Sequence, residues 1–234
     1  MEASVSLKSV GKRINKKVAL AGMSFGIEKG SKFAVIGHSN SGKGTILKLL
    51  AGIISKDKGS LYINGKDINL NPLEIKSEIG YMPKKNDFFN DLSIVENISL
   101  YGEIFNISRR KSIEQASILC EKLNLSNYLH EKSRNVNNGI IRIAMFARAI
   151  LHNPKIIIMD QPTLGLDSRL KTALWSFLLK YGERKTIIYS VNTVNQIQDN
   201  CDRVAVVNNY EIKFIGTYNN FIDSFDNYRL KDVI

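Results

Sequence analysis

A glycine-rich segment that carries one lysine, residues 37–45, has the spacing of a loop that binds phosphate. Its members are Gly37, His38, Ser39, Asn40, Ser41, Gly42, Lys43, Gly44 and Thr45. Loops of the form G-x-x-x-x-G-K-[S/T] cradle a nucleotide's phosphates with backbone N–H groups, and the lysine reaches the terminal phosphates. The position after the lysine normally offers a hydroxyl to the nucleotide's magnesium ion, and here it is Gly44. The segment therefore predicts phosphate binding with a weakened metal site.

Short apolar runs alternate along the chain with stretches of helical periodicity, which is typical of a mainly parallel α/β sheet. The run Lys32 to Ile36 leads straight into the glycine loop, and a helix is predicted from Lys43 to Ile54. Further buried strands are predicted at Ile156 to Met159, Lys185 to Ser190 and Arg203 to Val207. Strand, loop and helix thus follow one another in the order that a phosphate loop requires.

Two other regions differ from this alternating pattern. Residues 3–30 are predicted to form antiparallel strands around Gly22 and Gly30, and the turn at Asn64 and Gly65 predicts another hairpin. Between Met82 and Ile150 the strand pattern fades, and helices are predicted at Ile94 to Phe105, Lys111 to Leu123 and Ile140 to Leu151. We therefore expect one domain over residues 1–234, with a core of residues 1–83 and 141–234 and a helical lobe of residues 84–140.

The composition is that of a globular protein with an excess of basic side chains. Of the 234 residues 44% are hydrophobic, and 33 Lys and Arg against 22 Asp and Glu give a net charge of +11. Twelve of the basic and three of the acidic residues lie within residues 1–66. This excess fits a polyphosphate ligand, an anionic membrane surface or a solvated basic face. Nucleic acid is not predicted, because basic and aromatic residues are not interleaved.

Several classes of protein and site are not indicated by the sequence. No stretch reaches the roughly 20 apolar residues of a membrane span, and the first residues lack the pattern of a secretory signal. The two cysteines, Cys120 and Cys201, are far apart, so we expect a reducing compartment rather than a disulfide framework. His38, His130 and His152 do not have the spacing of metal ligands.

Six short motifs follow one another in a fixed order. They are GHSNSGKGT at 37–45, IGYMP at 79–83, NNG at 137–139 followed by ARA at 147–149, IIIMDQPT at 156–163, LGLD at 164–167 and CDRVA at 201–205. Their order and spacing resemble the nucleotide-binding domain of ABC transporters from Val5 to about Gly216, most like the ATP-binding subunits of ABC-2-type exporters. The resemblance implies an α/β fold, a P-loop NTPase core with a mainly parallel sheet, an N-terminal antiparallel β subdomain and an inserted helical lobe.

The resemblance also assigns roles to four positions around the nucleotide. Asp160 matches the aspartate that holds magnesium through its water shell, and Gln161 stands where the family has the glutamate that acts as general base. An amide does not accept a proton near neutral pH, and a lost general base costs about 10²–10⁴ in rate. Asn192 replaces a histidine that clamps the γ-phosphate, and Lys84 replaces a glutamine that senses magnesium. A cationic Lys84 would repel magnesium, but its ammonium group is suited to direct contact with phosphate.

A second set of departures concerns binding and closure. The segment Val136, Asn137, Asn138, Gly139 and Ile140 lies where the family reads LSGGQ, the element that closes over the partner subunit's ATP. Asparagine in place of the serine and of the first glycine adds bulk that should hinder closure. In the phosphate loop, Asn40 replaces a glycine, and asparagine is among the least costly substitutes if φ is positive there.

Two further resemblances concern side chains outside these motifs. Ile14 falls about where the family stacks adenine on an aromatic ring. Phe88 and Phe89 fall where the helical lobe receives the membrane subunit, although burial within the lobe explains these two residues equally well.

We therefore expect an ATP-binding subunit of a membrane ABC transporter, more specifically of an exporter, that binds ATP together with weakly held Mg²⁺ and hydrolyses ATP poorly or not at all. The resemblance implies an integral membrane permease and a second ATP-binding subunit as partners, at the cytoplasmic face of the membrane. A heterodimer is favoured over a homodimer, since a homodimer would have two altered sites. Two alternatives stay open: an active ATPase with compensating substitutions, and a scaffold that binds no nucleotide.

Overall fold

The strands belong to two sheets in the computed structural model, which describes residues 3–197 and 201–226. The strands are β1 (Ala3–Ile14), β2 (Lys17–Glu28), β3 (Lys32–Ile36), β4 (Lys58–Ile63), β5 (Lys66–Asp67), β6 (Ile79–Met82), β7 (Ile156–Met159), β8 (Thr186–Val191), β9 (Arg203–Asn208) and β10 (Glu211–Thr217). The first sheet is antiparallel, with the order β2-β1-β4-β5, and the second has the order β10-β9-β3-β8-β7-β6.

Seven α-helices connect and cover these sheets in the described residues. They are α1 (Lys43–Leu50), α2 (Pro72–Ser77), α3 (Ile94–Ile104), α4 (Arg109–Lys122), α5 (Asn138–Ile150), α6 (Ser168–Tyr181) and α7 (Tyr218–Asp226). The helices α3 and α4 form where the sequence predicts the first two helices after Met82, and α5 returns the chain to the second sheet. The predicted starts of α4 and α5 are each two residues late.

The second sheet brings three functional loops to one edge. Strands β3, β8, β7 and β6 are parallel neighbours, and β3 also pairs with β9 in parallel; only the edge strand β10 is antiparallel. Since Ile36 pairs with Val191 and Met159 with Tyr189, the strands β3, β8 and β7 end at the same edge of the sheet. The phosphate loop, the residues after Met159 and those after Val191 therefore meet there. The predicted mainly parallel α/β core is confirmed.

The N-terminal hairpin turns at a different place from the one predicted. The connection between β1 and β2 lies at Asn15 and Lys16, both with positive φ, of 50° and 66°. Gly22, expected at a turn, instead lies inside β2, where the register skips it between Met23 and Ala21. This is a β-bulge, and the glycine's φ of 79° is the reason that the residue is suited to it. The turns at Gly30 and at Asn64–Gly65 are where the sequence predicts them.

Helix α1 ends four residues earlier than predicted. Its apolar periodicity continues to Ile54, but Gly52 has a φ of 65° and closes a Schellman motif. Ile53 N donates to Lys48 O over 2.9 Å, and Gly52 N donates to Leu49 O over 3.0 Å. These bonds satisfy the carbonyls of the last turn, so the helix stops although the pattern of apolar residues goes on. Strand β8 is displaced by one residue from its prediction, to Thr186–Val191.

Two apolar clusters fill the two sides of the second sheet. One lies between this sheet, the first sheet and α1, and contains Phe25, Phe33 and Ile46. The other joins the second sheet to α3, α4, α5 and α6, and contains the buried Trp175. The strand β3 that leads into the phosphate loop is therefore packed between the two clusters.

Candidate functional site

A cavity of about 390 Å³ opens at the edge where the parallel strands end. Its lining comes from the hairpin of β1 and β2, the phosphate loop, the end of β6, the end of β7 and the turn between β9 and β10. The lining residues are Ile14, Lys17, Val18, Ala19, Ser39, Asn40, Ser41, Gly42, Lys43, Gly44, Thr45, Lys48, Lys84, Asp160, Gln161 and Tyr210. The structure thus unites most of the predicted nucleotide site.

The backbone of the phosphate loop takes positive φ angles at residues whose types tolerate them. Asn40 and Gly42 have φ angles of 66° and 108°, so Asn40 lies in the region where asparagine is a low-cost substitute for glycine. A Cβ added at Gly37 would lie 2.1 Å from Val207 O, so the first glycine is required by close packing against β9. The Ser41 hydroxyl is buried and has no hydrogen-bond partner in the described chain. A ligand with phosphate oxygens would satisfy this buried donor.

Lys43 is folded back onto its own loop. Its Nζ donates to Gly37 O and, over 2.7 Å, to His38 O. Burial lowers the pKa of Lys43 to about 8; the charge of Asp160 opposes this effect, and the charge of Lys84 adds to it. The ammonium group is therefore poorly solvated, and within the described residues it donates to two backbone carbonyl oxygens. An anion placed in the cavity would stabilise its charged form.

The residues present do not fit the magnesium site that such loops normally build. Gly44 has no hydroxyl, and a Cβ added there would lie 3.2 Å from Asp160 Oδ2, so the carboxylate already borders that space. The other carboxylate oxygen, Asp160 Oδ1, accepts a hydrogen bond from Ser190 Oγ over 2.6 Å. Magnesium requires oxygen ligands in near-octahedral order, whereas Lys84 brings an ammonium group to the same cavity. Asp160 is thus the one predicted metal residue whose chemistry suits the ion.

The side chains of Gln161 and Asn192 form a reciprocal amide pair. Gln161 Nε2 donates to Asn192 Oδ1 over 3.0 Å, and Asn192 Nδ2 donates to Gln161 Oε1 over 3.4 Å. Gln161 also has a φ of 50°, and its backbone N donates to Ser190 Oγ over 3.0 Å. The two predicted positions therefore meet, and they meet as neutral amides that donate and accept hydrogen bonds but take up no proton.

Arg142 is a buried anchor whose position sequence reasoning did not identify. Its guanidinium donates to five backbone carbonyls, over 2.5–3.3 Å, from the chain after β6 and after β7; these are the carbonyls of Pro83, Lys84, Asp160, Gln161 and Pro162. A charged residue inside the apolar run of α5 was the available signal, since buried charges need partners. The contacts fix helix α5 to the backbone of three cavity-lining residues.

The five residues that resemble the signature element lie away from the phosphate cavity. Asn137 caps α5, because its Oδ1 accepts from Ile140 N over 3.0 Å. Asn137 and Asn138 are exposed, whereas Gly139 and Ile140 are buried and Val136 is half-buried. None of the five lines the cavity. Within one chain the two predicted parts of an ATP site therefore remain separate.

Tyr210 brings an aromatic ring to the cavity from an element that the sequence did not indicate. Its N donates to Ser41 O and its O accepts from Ala21 N, both over 3.0 Å. Its φ of 66° is unusual for a bulky residue. The preceding Asn209 also has a positive φ, so a tight turn directs this side chain. Ile14 lines the cavity too, as predicted, and is aliphatic.

The remaining predicted side chains divide between core and surface. Phe88 is buried, with the Arg148 guanidinium 4.9 Å from its ring centroid, whereas Phe89 is 60% exposed. Both cysteines are buried and unpaired by disulfide. In the described part of the chain, no group of three His, Cys, Asp or Glu residues is placed to hold a metal ion. No helix among residues 3–197 and 201–226 has the length and apolar character needed to cross a membrane.

Comparisons with known proteins agree with this geometry. A family model described as ABC transporter matches residues 20–164. The linearmycin resistance ATP-binding protein LnrL of Bacillus subtilis is 25% identical, over 90% of this chain and 68% of that protein. The Nod factor export ATP-binding protein I of a Rhizobium strain is 28% identical, over 88% of this chain and 68% of that protein.

Solved structures have the same fold. A nucleotide-free ATP-binding cassette from an ABC transporter superposes with a TM-score of 0.84 at 24% identity, over all of this chain and 97% of that one. A bacterial Atm1-family ABC exporter with ATP bound gives a TM-score of 0.83 at 23% identity, over 96% of this chain and 40% of that one. At these identities the likeness is one of fold.

Proposed function

Because the chain belongs to the ABC transporter family, we propose that it is an ATP-binding subunit that binds ATP but hydrolyses it poorly or not at all. The observation that carries the proposal is the amide pair of Gln161 and Asn192 beside an otherwise well-formed phosphate loop. The pair occupies the two positions where a proton acceptor and a titratable clamp would be needed.

Three features of the cavity support binding of a polyphosphate. In the part of the chain that the structure describes, the buried Lys43 donates to two backbone carbonyls and the buried Ser41 hydroxyl has no hydrogen-bond partner. The backbone at Gly42 opens helix α1, whose first N–H groups have no intrahelical acceptor and favour an anion. A phosphate group would satisfy the lysine, the hydroxyl and the helix N-terminus together.

The chemistry of hydrolysis lacks its proton acceptor. The Gln161 amide can orient a water molecule through its hydrogen bonds, but it cannot take the water's proton. Removing a positioned general base costs about 10²–10⁴ in rate. Asn192 adds no charge that could compensate, and Ser190 is already engaged by Asp160 and by Gln161 N. We therefore propose slow turnover or none.

Two surfaces support pairing with a different subunit. The exposed Asn137 and Asn138 at the start of α5 lie apart from the cavity, so a complete site would need the corresponding element of a partner chain. In a homodimer, both sites would combine an altered cavity with an altered signature element. We therefore propose a heterodimer with a second ATP-binding subunit, seated on an integral membrane permease at the cytoplasmic face, and a role in export like that named for the Nod factor relative.

Thermal unfolding with ATP tests the binding half of the proposal. ATP at about 100 times its dissociation constant should add roughly 2.7 kcal/mol to the free energy of unfolding. We expect the melting temperature of the purified chain to rise with ATP. Lys43→Ala should abolish the rise, whereas Lys111→Ala, an exposed lysine on α4, should retain it. No rise in the unmodified chain would contradict the proposal and favour a scaffold that binds no nucleotide.

A further inference from the structure

We infer that the cavity takes the metal-free form of a nucleoside triphosphate, with the Lys84 ammonium group in the place of the magnesium ion. The inference rests on the proposed ATP binding and adds the ionic form of the ligand. The residues around Asp160 do not meet the requirements of magnesium, as the next three features show.

The first feature is the loss of a protein ligand of the metal. Gly44 stands at the position that would supply a hydroxyl. A Cβ added at Gly44 would lie 3.2 Å from Asp160 Oδ2. Asp160 Oδ1 is committed to Ser190 Oγ. Without a hydroxyl at position 44, magnesium loses one protein ligand and would depend on the Asp160 carboxylate, directly or through water, on water molecules and on the phosphates.

The lining of the cavity carries an excess of positive charge. Four lysines line the cavity, namely Lys17, Lys43, Lys48 and Lys84, against the single carboxylate of Asp160. Such a lining already supplies the positive charge that a magnesium ion would bring to the phosphates. A divalent cation would have to enter this field of ammonium groups, which costs electrostatic free energy. A metal-free polyphosphate keeps all its oxygens available to the lysines.

The third feature is the placement of Lys84. Its backbone carbonyl accepts from Arg142 Nη1 over 2.8 Å, and Arg142 Nη2 donates over 2.6 Å to the carbonyl of Asp160. One guanidinium therefore fixes the backbone of Lys84 relative to that of Asp160. The Lys84 side chain is exposed and lines the cavity, so its ammonium group is free to meet the ligand. Lys85, the next residue, is equally exposed but does not line the cavity.

Equilibrium binding of ATP in two buffers tests this inference. One buffer contains Mg²⁺ and the other contains excess EDTA. We expect the unmodified chain to bind ATP in EDTA at least as tightly as in Mg²⁺. Lys84→Gln should weaken binding in EDTA about tenfold or more, the value of one charge-assisted hydrogen bond to phosphate. Lys85→Gln is the matched control and should leave the affinity unchanged in both buffers.

The outcomes separate this inference from the proposed function. ATP binding that appears only with Mg²⁺ would overturn the inference and leave the proposed function intact. Equal affinity of the unmodified chain and of Lys84→Gln in EDTA would do the same. Absence of binding in both buffers would overturn the proposed function and this inference with it. In the double variant Gly44→Ser, Lys84→Gln, we expect Mg²⁺ to strengthen ATP binding, which reports on the same two positions independently.

Discussion

The side chains of Gln161 and Asn192 hold each other through both of their amide groups, over 3.0 and 3.4 Å. Each amide satisfies the other, and both remain neutral throughout the physiological pH range. The pair lies beside the buried carboxylate of Asp160, to which Gln161 is also linked through Ser190 Oγ. A nucleotide site with this arrangement can hold a water molecule but has no acceptor for its proton at this place.

Lys43 gives ATP binding a defined pH dependence. Burial lowers its pKa to about 8, below the ordinary value of 10.5. The phosphates of ATP should raise this pKa again, so binding above pH 8 should take up a proton and should weaken as pH rises further. Calorimetry at about pH 9 in buffers of different ionisation enthalpy measures this uptake. A proton release, or no uptake at pH 9, would contradict the assignment of Lys43 to the phosphates.

The lowered pKa of Lys43 also determines how this residue contributes to the pH dependence of stability in the absence of ligand. The folded state holds Lys43 with a lowered pKa, so between about pH 8 and 10.5 the unfolded chain binds more protons at this residue. This group therefore makes the free energy of unfolding rise with pH across that window. Lys43→Met should remove the contribution, which a comparison of urea unfolding at pH 7.5 and 9.5 checks.

Arg142 is expected to be essential for stability. Arg142→Met leaves five backbone carbonyls without their donor, and charge-assisted hydrogen bonds contribute about 1.5–3 kcal/mol. We expect a loss of about 3–5 kcal/mol in the free energy of unfolding, as for other buried charged networks. Arg169→Met, at an exposed position on α6, is the control and should change stability by less than about 0.5 kcal/mol. Urea denaturation measures both, and equal effects would contradict the anchoring role.

Asn40 tests whether the phosphate loop keeps its shape. Its φ of 66° is compatible with asparagine and glycine but strained for a β-branched residue. Asn40→Gly should bind ATP as the unmodified chain does, and Asn40→Val should lose about tenfold or more in affinity if the strain of about 1–3 kcal/mol distorts the loop. The affinities come from ATP titration. Equal binding by the valine variant would show that the loop does not depend on this backbone angle.

Much of this site could be predicted from residue types in order along the chain, and some of it could not. Gly37, Lys43, Asp160 and Gln161 are recognisable because strand, loop and helix patterns surround them. The charge of Arg142 inside an apolar run indicates a buried partner but not which carbonyls it binds, and the turn with positive φ that places Tyr210 leaves little trace in a sequence. Their partners are also 18 and 169 residues away, and only the fold brings them together.

In the fold, too, the sequence pattern predicts the elements, whereas their ends and bulges depend on local backbone geometry. Apolar periodicity locates α1 but not its end, because the Schellman motif at Gly52 depends on backbone bonds rather than on hydrophobicity. The glycine at 22 predicts a change of direction and instead forms a bulge, because the paired strand β1 continues beyond it to Ile14. Conformational freedom at a glycine is visible in a sequence, whereas its use as a turn or a bulge depends on the neighbouring strand.

Dimerisation tests the altered signature element. In the proposed heterodimer, Asn137 and Asn138 correspond to the element that closes over a partner's nucleotide, and their bulk should hinder this closure, so we expect that ATP does not drive the purified chain into a stable homodimer. Sedimentation velocity with and without ATP measures this. In the variant Asn137→Ser, Asn138→Gly, we expect a larger dimer fraction with ATP than in the unmodified chain. An ATP-induced homodimer of the unmodified chain would contradict the proposed heterodimer.

Single-turnover hydrolysis tests the central claim most directly. The purified chain, in excess over radiolabelled ATP, is compared with the variant Gln161→Glu, Asn192→His, which restores a proton acceptor and a titratable partner. We expect the unmodified chain to leave its bound ATP intact, or to hydrolyse it at least about 10²-fold more slowly than the double variant does. Rapid conversion of the bound ATP to ADP by the unmodified chain would contradict the account.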